Sequence, residues 1–166
     1  MLYRFVVTIA VICAAAVPAG AQDFNFTTPA GQTVSLSSLR GKVVVLMFSG
    51  IQDPQCRQGL EALDKMAVER YQGKGVQFYL VSVNSASELT NDQLKSTCGG
   101  TNSISVLRDT NQVAFKRFCG KSGQLPTIVI FDRQSNAVGR PRGGFNPNSD
   151  FINDLASTID GVLQTK

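Results

Sequence analysis

Apolar residues along this chain form two kinds of pattern, which predict strands and helices in alternation. Continuous apolar, β-branched runs predict buried strands, whereas apolar residues three or four positions apart predict helices that pack on them. The expected strands occupy residues 33–36, 43–48, 76–83, 104–107 and 127–131, and a last strand begins at 137. The expected helices occupy residues 54–71, 92–98, 111–118 and 149–163. This order predicts one α/β domain with a mainly parallel sheet, helices on both faces and an antiparallel hairpin at its end.

The first 21 residues have the pattern of a secretory signal peptide. Arg4 gives a short basic start, an apolar stretch follows, and Ala19 and Ala21 place small residues at both cleavage positions. The apolar stretch is shorter than the ~20 residues that span a bilayer, although a retained N-terminal anchor is the alternative. We therefore expect a signal peptide at 1–21, a mature domain at 22–166 and a secreted or periplasmic protein that is not membrane-embedded after cleavage.

The amino-acid composition excludes more classes of catalytic site than the net charge does. The 166 residues include no histidine, which excludes a Ser-His-Asp triad, a Cys-His dyad and a histidine-ligated metal. We expect no metal and no other cofactor. The net charge of +4 comes from scattered basic residues, so no nucleic-acid partner is predicted.

Cysteine is the most informative reactive residue type that remains. Cys13 leaves with the predicted signal peptide, so Cys56, Cys98 and Cys119 stay in the mature chain. In an oxidising compartment, three cysteines can form at most one intramolecular disulfide. At least one of the three is therefore a thiol or is bonded to another molecule.

Three segments carry a resemblance to a known superfamily. Residues 36–46 (LSSLRGKVVVL) resemble the start of the first core strand in exported TlpA-type thiol–disulfide oxidoreductases and in the related peroxiredoxins. Residues 125–132 (LPTIVIFD) resemble the cis-proline segment of the same proteins, and 132–138 resembles the hairpin that follows it. The resemblance covers residues 24–164. It implies a thioredoxin-like fold, with a mixed central sheet, helices on both faces and a cis-proline loop.

The alignment implied by this resemblance departs from the family at the active site. Asp53-Pro54-Gln55-Cys56 falls where the family has Cys-x-x-Cys, so Cys56 matches the resolving cysteine and Asp53 replaces the attacking one. A carboxylate cannot attack a disulfide. Asp53 either caps the helix that begins at Pro54 or accepts a proton from Cys56. Cys56 is either a reactive thiol, favoured as thiolate by the helix dipole, or a small buried residue left from an ancestral pair.

Peroxidase activity is less favoured by the sequence. Peroxiredoxins carry proline seven positions before the attacking cysteine and a hydroxyl residue three positions before it. Counting back from Cys56, this chain has Ser49 and Asp53 at those positions. The activating arginine of peroxiredoxins also falls in the region where this chain has residues 125–127. The resemblance therefore implies a thiol–disulfide oxidoreductase rather than a peroxidase.

Two disulfide pairings stay open. A bond between Cys98 and Cys119 would close a loop of about twenty residues and stabilise the fold by roughly 3 kcal/mol in the chain-entropy picture. The alternative is a bond between Cys56 and Cys119, because the cis-proline loop packs beside the active-site helix in the family that the chain resembles. This second pairing would make a non-standard redox pair.

The cis-proline segment carries a second functional hypothesis. In the resembled family the residue before the proline pairs its backbone with an extended substrate, so Leu125, Pro126 and Thr127 are the expected substrate-binding residues. We expect an exported protein of thiol–disulfide redox function, with weak or altered activity through Cys56 and a protein or peptide thiol/disulfide partner. The alternative is a non-catalytic module that binds a protein or peptide in the cis-proline groove.

Overall fold

The computed structural model of the chain describes residues 23–50, 54–98, 103–120, 123–145 and 149–165. The predicted signal peptide at 1–21 and the predicted cap Asp53 lie outside the described residues, as does the side chain of Cys98. The roles expected of these residues therefore stay predictions.

Strands and helices alternate over most of the described chain. The strands are β1 (Asn25–Thr27), β2 (Thr33–Ser35), β3 (Val43–Ser49), β4 (Val76–Ser82), β5 (Ile104–Arg108), β6 (Thr127–Phe131) and β7 (Ala137–Gly143). The α-helices are α1 (Pro54–Met66), α2 (Asn91–Cys98), α3 (Val113–Cys119) and α4 (Ser149–Gln164). Short 3-10 helices cover Leu36–Leu39 and Thr110–Gln112, and a π-helical turn at Ala67–Tyr71 extends α1. The sequence did not predict β1, because only one of its three residues, Phe26, is apolar.

The strands form one mixed sheet in the order β2-β1-β5-β4-β3-β6-β7. Strands β3, β4 and β5 are parallel, whereas the other pairings among the described strands are antiparallel. The prediction of a mainly parallel sheet is therefore wrong, since β6 runs antiparallel to β3. The seven residues of α3 extend only ~10 Å, and the helix ends beside the first residue of β6. The chain consequently enters β6 at the edge of the sheet formed by the carboxyl ends of β3, β4 and β5, and β6 therefore runs in the opposite direction to them.

Strand β3 is the centre of the core, with all seven residues buried. Its side chains alternate between two hydrophobic clusters, as period-two geometry requires. Val43, Val45 and Met47 pack with residues of α1 and α4, so we call that side of the sheet the α1 face. Residues 44, 46 and 48 pack with residues of α3 on the opposite side, the α3 face. The predicted arrangement of helices on both faces is confirmed.

The far end of α1 is fastened to α4 by a buried tyrosine. The Tyr71 hydroxyl lies 3.0 Å from Asp160 Oδ1 and 3.1 Å from the carbonyl oxygen of Ala156. Arg70 donates to the other oxygen of Asp160 at 2.5 Å. These contacts fix the end of α1 that is remote from Cys56.

Candidate functional site

Cys56 lies in the first turn of α1, as predicted, and only 3% of its surface is exposed. One turn later the helix approaches the sheet closely. A Cβ added at Gly59 would lie 3.2 Å from both Met47 Sδ and Phe145 Cγ. The glycine therefore allows the start of α1 to settle onto β3, and this brings Cys56 into the interior.

The cis-proline segment lies beside the end of β3. The peptide bond between Leu125 and Pro126 is cis, and the carbonyl of Pro126 accepts the backbone N–H of Gly144 at 3.1 Å. Thr127 pairs with Phe48 in the ladder between β6 and β3. A Cβ added at Gly50 would lie 3.5 Å from Leu125 Cδ1. The structure thus brings Leu125 against the segment that leads from β3 towards α1.

Cys119 is the last residue of α3 and is half-buried. Its thiol shares a hydrogen bond with the hydroxyl of Thr127, which in turn donates to the carbonyl of Gln124. Burial raises the pKa of Cys119 to about 11, with a smaller opposing effect from Thr127 and a small further rise from the nearby carboxylate of Asp109. At neutral pH this residue is therefore a protonated thiol and a poor nucleophile.

The two thiols belong to elements on opposite faces of the sheet. The apolar residues of α1 that follow Cys56 pack on the α1 face, whereas Cys119 packs on the α3 face. Both cysteines are thiols rather than disulfides in this structure. Neither the Cys56–Cys119 pairing nor the Cys98–Cys119 pairing is tested by this arrangement, so both stay predictions.

Asp109 sets the position of α3 and hence of Cys119. Its carboxylate accepts the N–H groups of Ala114 at 3.1 Å and Phe115 at 2.7 Å, which are otherwise unpaired donors of the first helical turn. Burial raises the pKa of Asp109, and the hydrogen bonds from the helix oppose that rise. This residue was not predicted from the sequence. An acidic residue directly after a buried strand and shortly before a helix was the available signal.

A row of buried polar residues lies at the same sheet edge and was also missed. Ser49, Ser82 and Arg108 end β3, β4 and β5, and the ladders place them directly opposite one another. Their exposed fractions are 1%, 0% and 5%. We call these three residues the polar row. In the sequence, each of these strands is a short apolar run that ends on a polar residue, but the register that aligns the three polar residues is seen only in the folded structure.

Within the described residues, no group of three or more histidine, cysteine, aspartate or glutamate side chains is arranged to hold a metal ion. No helix in the described ranges is long and apolar enough to cross a membrane.

Comparison with solved structures finds many proteins of the same fold. DsbE of Chlorobium tepidum, assigned as a thiol:disulfide interchange protein, is 25% identical, with 85% of this chain and 93% of that chain covered and a TM-score of 0.68. The exposed lipoprotein thioredoxin Etrx1 of Streptococcus pneumoniae is 22% identical, with 81% and 98% covered and a TM-score of 0.65. A secreted disulfide oxidoreductase of Mycobacterium tuberculosis is 20% identical, with 83% and 95% covered and a TM-score of 0.60.

Sequence comparison identifies the family. No curated protein matches the chain by sequence. Residues 17–138 match the AhpC/TSA family, and this match spans β1 to the start of β7. The thioredoxin-like fold expected from residues 36–46 and 125–132 is thus confirmed by the family and by the solved structures. The chain belongs to the AhpC/TSA family and has the fold of the thiol–disulfide oxidoreductases that resemble it.

Proposed function

We propose that this chain is an exported thiol–disulfide redox protein that acts, with weak or altered activity, through Cys56. The observation that carries the proposal is the placement of Cys56 in the first turn of α1, at the sheet edge where the cis bond of Leu125 and Pro126 lies. A thiol in that position is favoured as thiolate by the unpaired N–H groups and dipole of the helix. A backbone segment beside it is available to hold an extended partner.

The proposed step is thiol–disulfide exchange with one protein cysteine. The Cys56 thiolate attacks one sulfur of a partner disulfide, and a bond forms between Cys56 and that sulfur as the partner's S–S bond breaks. The second partner sulfur leaves as a thiolate and takes up a proton. A second thiolate, from another cysteine of the partner or from a small thiol, then attacks the partner sulfur of the mixed disulfide. A new disulfide forms between these two sulfurs, and Cys56 leaves as a thiolate that takes up a proton.

Two features support weak rather than full oxidoreductase activity. Asp53 stands where the resembled family has its attacking cysteine, so this chain has no second thiol at that position to resolve the mixed disulfide. Cys56 is also 3% exposed, so its sulfur must be uncovered before a partner disulfide can approach it. Local opening of the first turn of α1 would supply that access.

Export and a protein or peptide partner complete the proposal. The leader at 1–21 supports export, and two similar structures are described as secreted or as an exposed lipoprotein. An oxidising destination would supply disulfide-bearing partners. We propose that Leu125, Pro126 and Thr127 hold such a partner in extended form beside Cys56.

The experiment is to trap the mixed disulfide. Folded mature protein is incubated with a disulfide-linked peptide, excess peptide is removed, and the adduct is mapped by mass spectrometry. We expect one adduct, on Cys56, which is absent from the Cys56→Ser variant and present in the Cys119→Ser variant. An adduct on Cys119 or Cys98 alone would overturn the assignment of the redox role to Cys56.

A second candidate function is favoured by the burial of Cys56 and the high pKa of Cys119. On this alternative the chain is a non-catalytic module that binds a protein or peptide in the groove beside Pro126. Binding would then be independent of thiols. An extended cysteine-free peptide should bind the wild type and the Cys56→Ser variant with the same affinity, and no adduct should form in the trapping experiment.

A further inference from the structure

The polar row contains a charge that the fold does not otherwise explain. Arg108 is 5% exposed, and its guanidinium donates to the carbonyls of Asn84 at 2.6 Å and Leu89 at 2.7 Å. It also donates to Asn91 Oδ1 at 3.3 Å. The salt bridges found among the described residues do not include Arg108. Neutral oxygens therefore satisfy its hydrogen bonds but leave its charge uncompensated, which is costly in an interior.

The strand periodicity places this arginine on the α1 face. Ile104 and Val106, which alternate with Arg108 along β5, pack against the cluster that contains α1. Ser49 and Ser82 share that face, because each lies directly opposite its neighbour in the ladder. Ser82 of β4 therefore lies between Arg108 and Ser49, the last residue of β3, and both intervening side chains are small.

Helix geometry places Cys56 over the other end of the same row. Strands β3 and β4 are parallel, so α1 between them returns the chain and runs antiparallel to β3. Gly59 lies against Met47, and Cys56 precedes it by one turn, ~4.5 Å towards the carboxyl edge. Ser49 lies ~6.6 Å beyond Met47 in the same direction. Cys56 is therefore over the Ser49 end of the row, while Arg108 ends the strand two places away, with its Cα ~10 Å from that of Ser49.

We infer that Arg108 is a positioning residue whose buried charge favours the thiolate of Cys56. The inference rests on the proposed redox function, in which that thiolate is the nucleophile. A unit charge ~10–15 Å away, which allows for the height of α1 above the sheet, shifts a titration by about one pKa unit in an effective dielectric of ~20. Arginine suits this role because it keeps its charge at any pH at which proteins are folded.

Other charged groups at this end of the molecule are screened by water. Arg57 and Glu61 on α1, Glu88 in the loop after β4 and Asp92 on α2 are all exposed. Asp109 follows Arg108 in the chain, but its carboxylate is bonded to the first turn of α3. Asp53 lies outside the described residues, and its carboxylate would oppose the effect of Arg108. Among the described residues, Arg108 is the buried cation on the α1 face at this edge.

The test is a thiolate titration that does not depend on access to the sulfur. Absorbance at 240 nm is followed against pH for the folded protein, and the curve of the Cys56→Ser variant is subtracted to isolate Cys56. We expect the pKa of Cys56 to rise by about one unit in Arg108→Gln and by less in Arg108→Lys, which keeps the charge only while the buried ammonium stays protonated. Arg70→Gln, which removes a charge at the far end of α1, is the matched control and should change nothing.

The outcomes separate this inference from the proposed function. An unchanged pKa of Cys56 in a folded Arg108→Gln variant would overturn the role of Arg108, whatever Cys56 does with disulfides. A raised pKa without any mixed disulfide would support Arg108 and overturn the redox proposal. If Arg108→Gln does not fold, Arg108→Met, which keeps an unbranched side chain without the charge, takes its place with the same two outcomes.

Discussion

Cys119 and Thr127 share a hydrogen bond across the α3 face, and this contact fastens the end of α3 to the residue that follows Pro126. Because the Thr127 hydroxyl also donates to the carbonyl of Gln124, the cis-proline segment is held on the side opposite Cys56. The sheet edge therefore has two thiols in different environments. One lies at a helix start on the α1 face, and the other is held as a protonated hydrogen-bond partner on the α3 face.

The raised pKa of Cys119 predicts a loss of stability in alkali. Between the pKa of an ordinary cysteine and the raised value of about 11, the folded state keeps the thiol proton while the unfolded chain releases it, so the folded state binds more protons. The free energy of unfolding must then fall as pH rises through this window. Denaturant unfolding from pH 8 to 11 should show that fall in the wild type and a weaker one in Cys119→Ala. Equal slopes in both proteins would contradict the environment described for this thiol.

The position of Asp53 predicts a gain of activity on substitution. Asp53→Cys should restore a Cys-x-x-Cys pair with Cys56 and raise the rate of insulin disulfide reduction on the order of tenfold or more, because a resolving thiol is then present. Stability should fall by at most ~1–2 kcal/mol from the lost cap. Asp53→Ser keeps a capping hydroxyl without a thiol and is the control. Wild-type reduction as fast as that of Asp53→Cys would show that the active-site alignment is wrong.

Gly144, in the turn after β7 and beside the cis-proline, should not tolerate a side chain. Gly144 has a φ of +67°, and its N–H donates to the carbonyl of Pro126. An added Cβ would also lie 3.3 Å from Gln124 Oε1. Gly144→Ala should therefore lower the free energy of unfolding by ~1–2 kcal/mol. Gly161→Ala, in open space on α4, should instead raise it by up to ~1 kcal/mol, and a similar effect at both positions would contradict the strain assigned to Gly144.

The leader predicts the mature N-terminus. Cleavage after Ala21 should leave a chain that begins at Gln22, and intact-mass analysis of the exported protein measures this directly. Ala19→Leu should block processing, because the cleavage positions require small residues. A secreted or periplasmic protein that still carries Met1 would refute the assignment of residues 1–21.

The sequence predicted the parts of the fold that local pattern encodes. The continuous apolar run at 43–48 predicted β3, because a strand that is buried on both faces is apolar at every position. The apolar stripe through Leu155 and Ile159 predicted α4, because a helix that is buried on one face is apolar at every third or fourth position. The direction of β6 could not be predicted in this way. It depends on the length and end point of α3, and a single strand has the same composition whether it runs parallel or antiparallel.

The candidate site was predictable where it is contiguous in sequence. Cys56 follows Pro54 closely enough that its place in the first helical turn could be inferred, and Pro126 was identified from its own segment. The sequence could not place Arg108 near Cys56, because their proximity depends on the registers of two ladders, the one between β3 and β4 and the one between β4 and β5. The bond between Cys119 and Thr127 was likewise hidden, since it joins a helix end to a strand start across the sheet edge.

The central claim is that Cys56 is the reactive thiol of the folded protein, and the pH dependence of iodoacetamide labelling, resolved by site, tests it most directly. We predict that Cys56 alkylates in the native state with an apparent pKa at or below about 8.5, whereas Cys119 reacts only as the pH approaches its pKa of about 11. Labelling of Cys56 only after denaturation would contradict the redox role and leave the groove beside Pro126 as the functional surface.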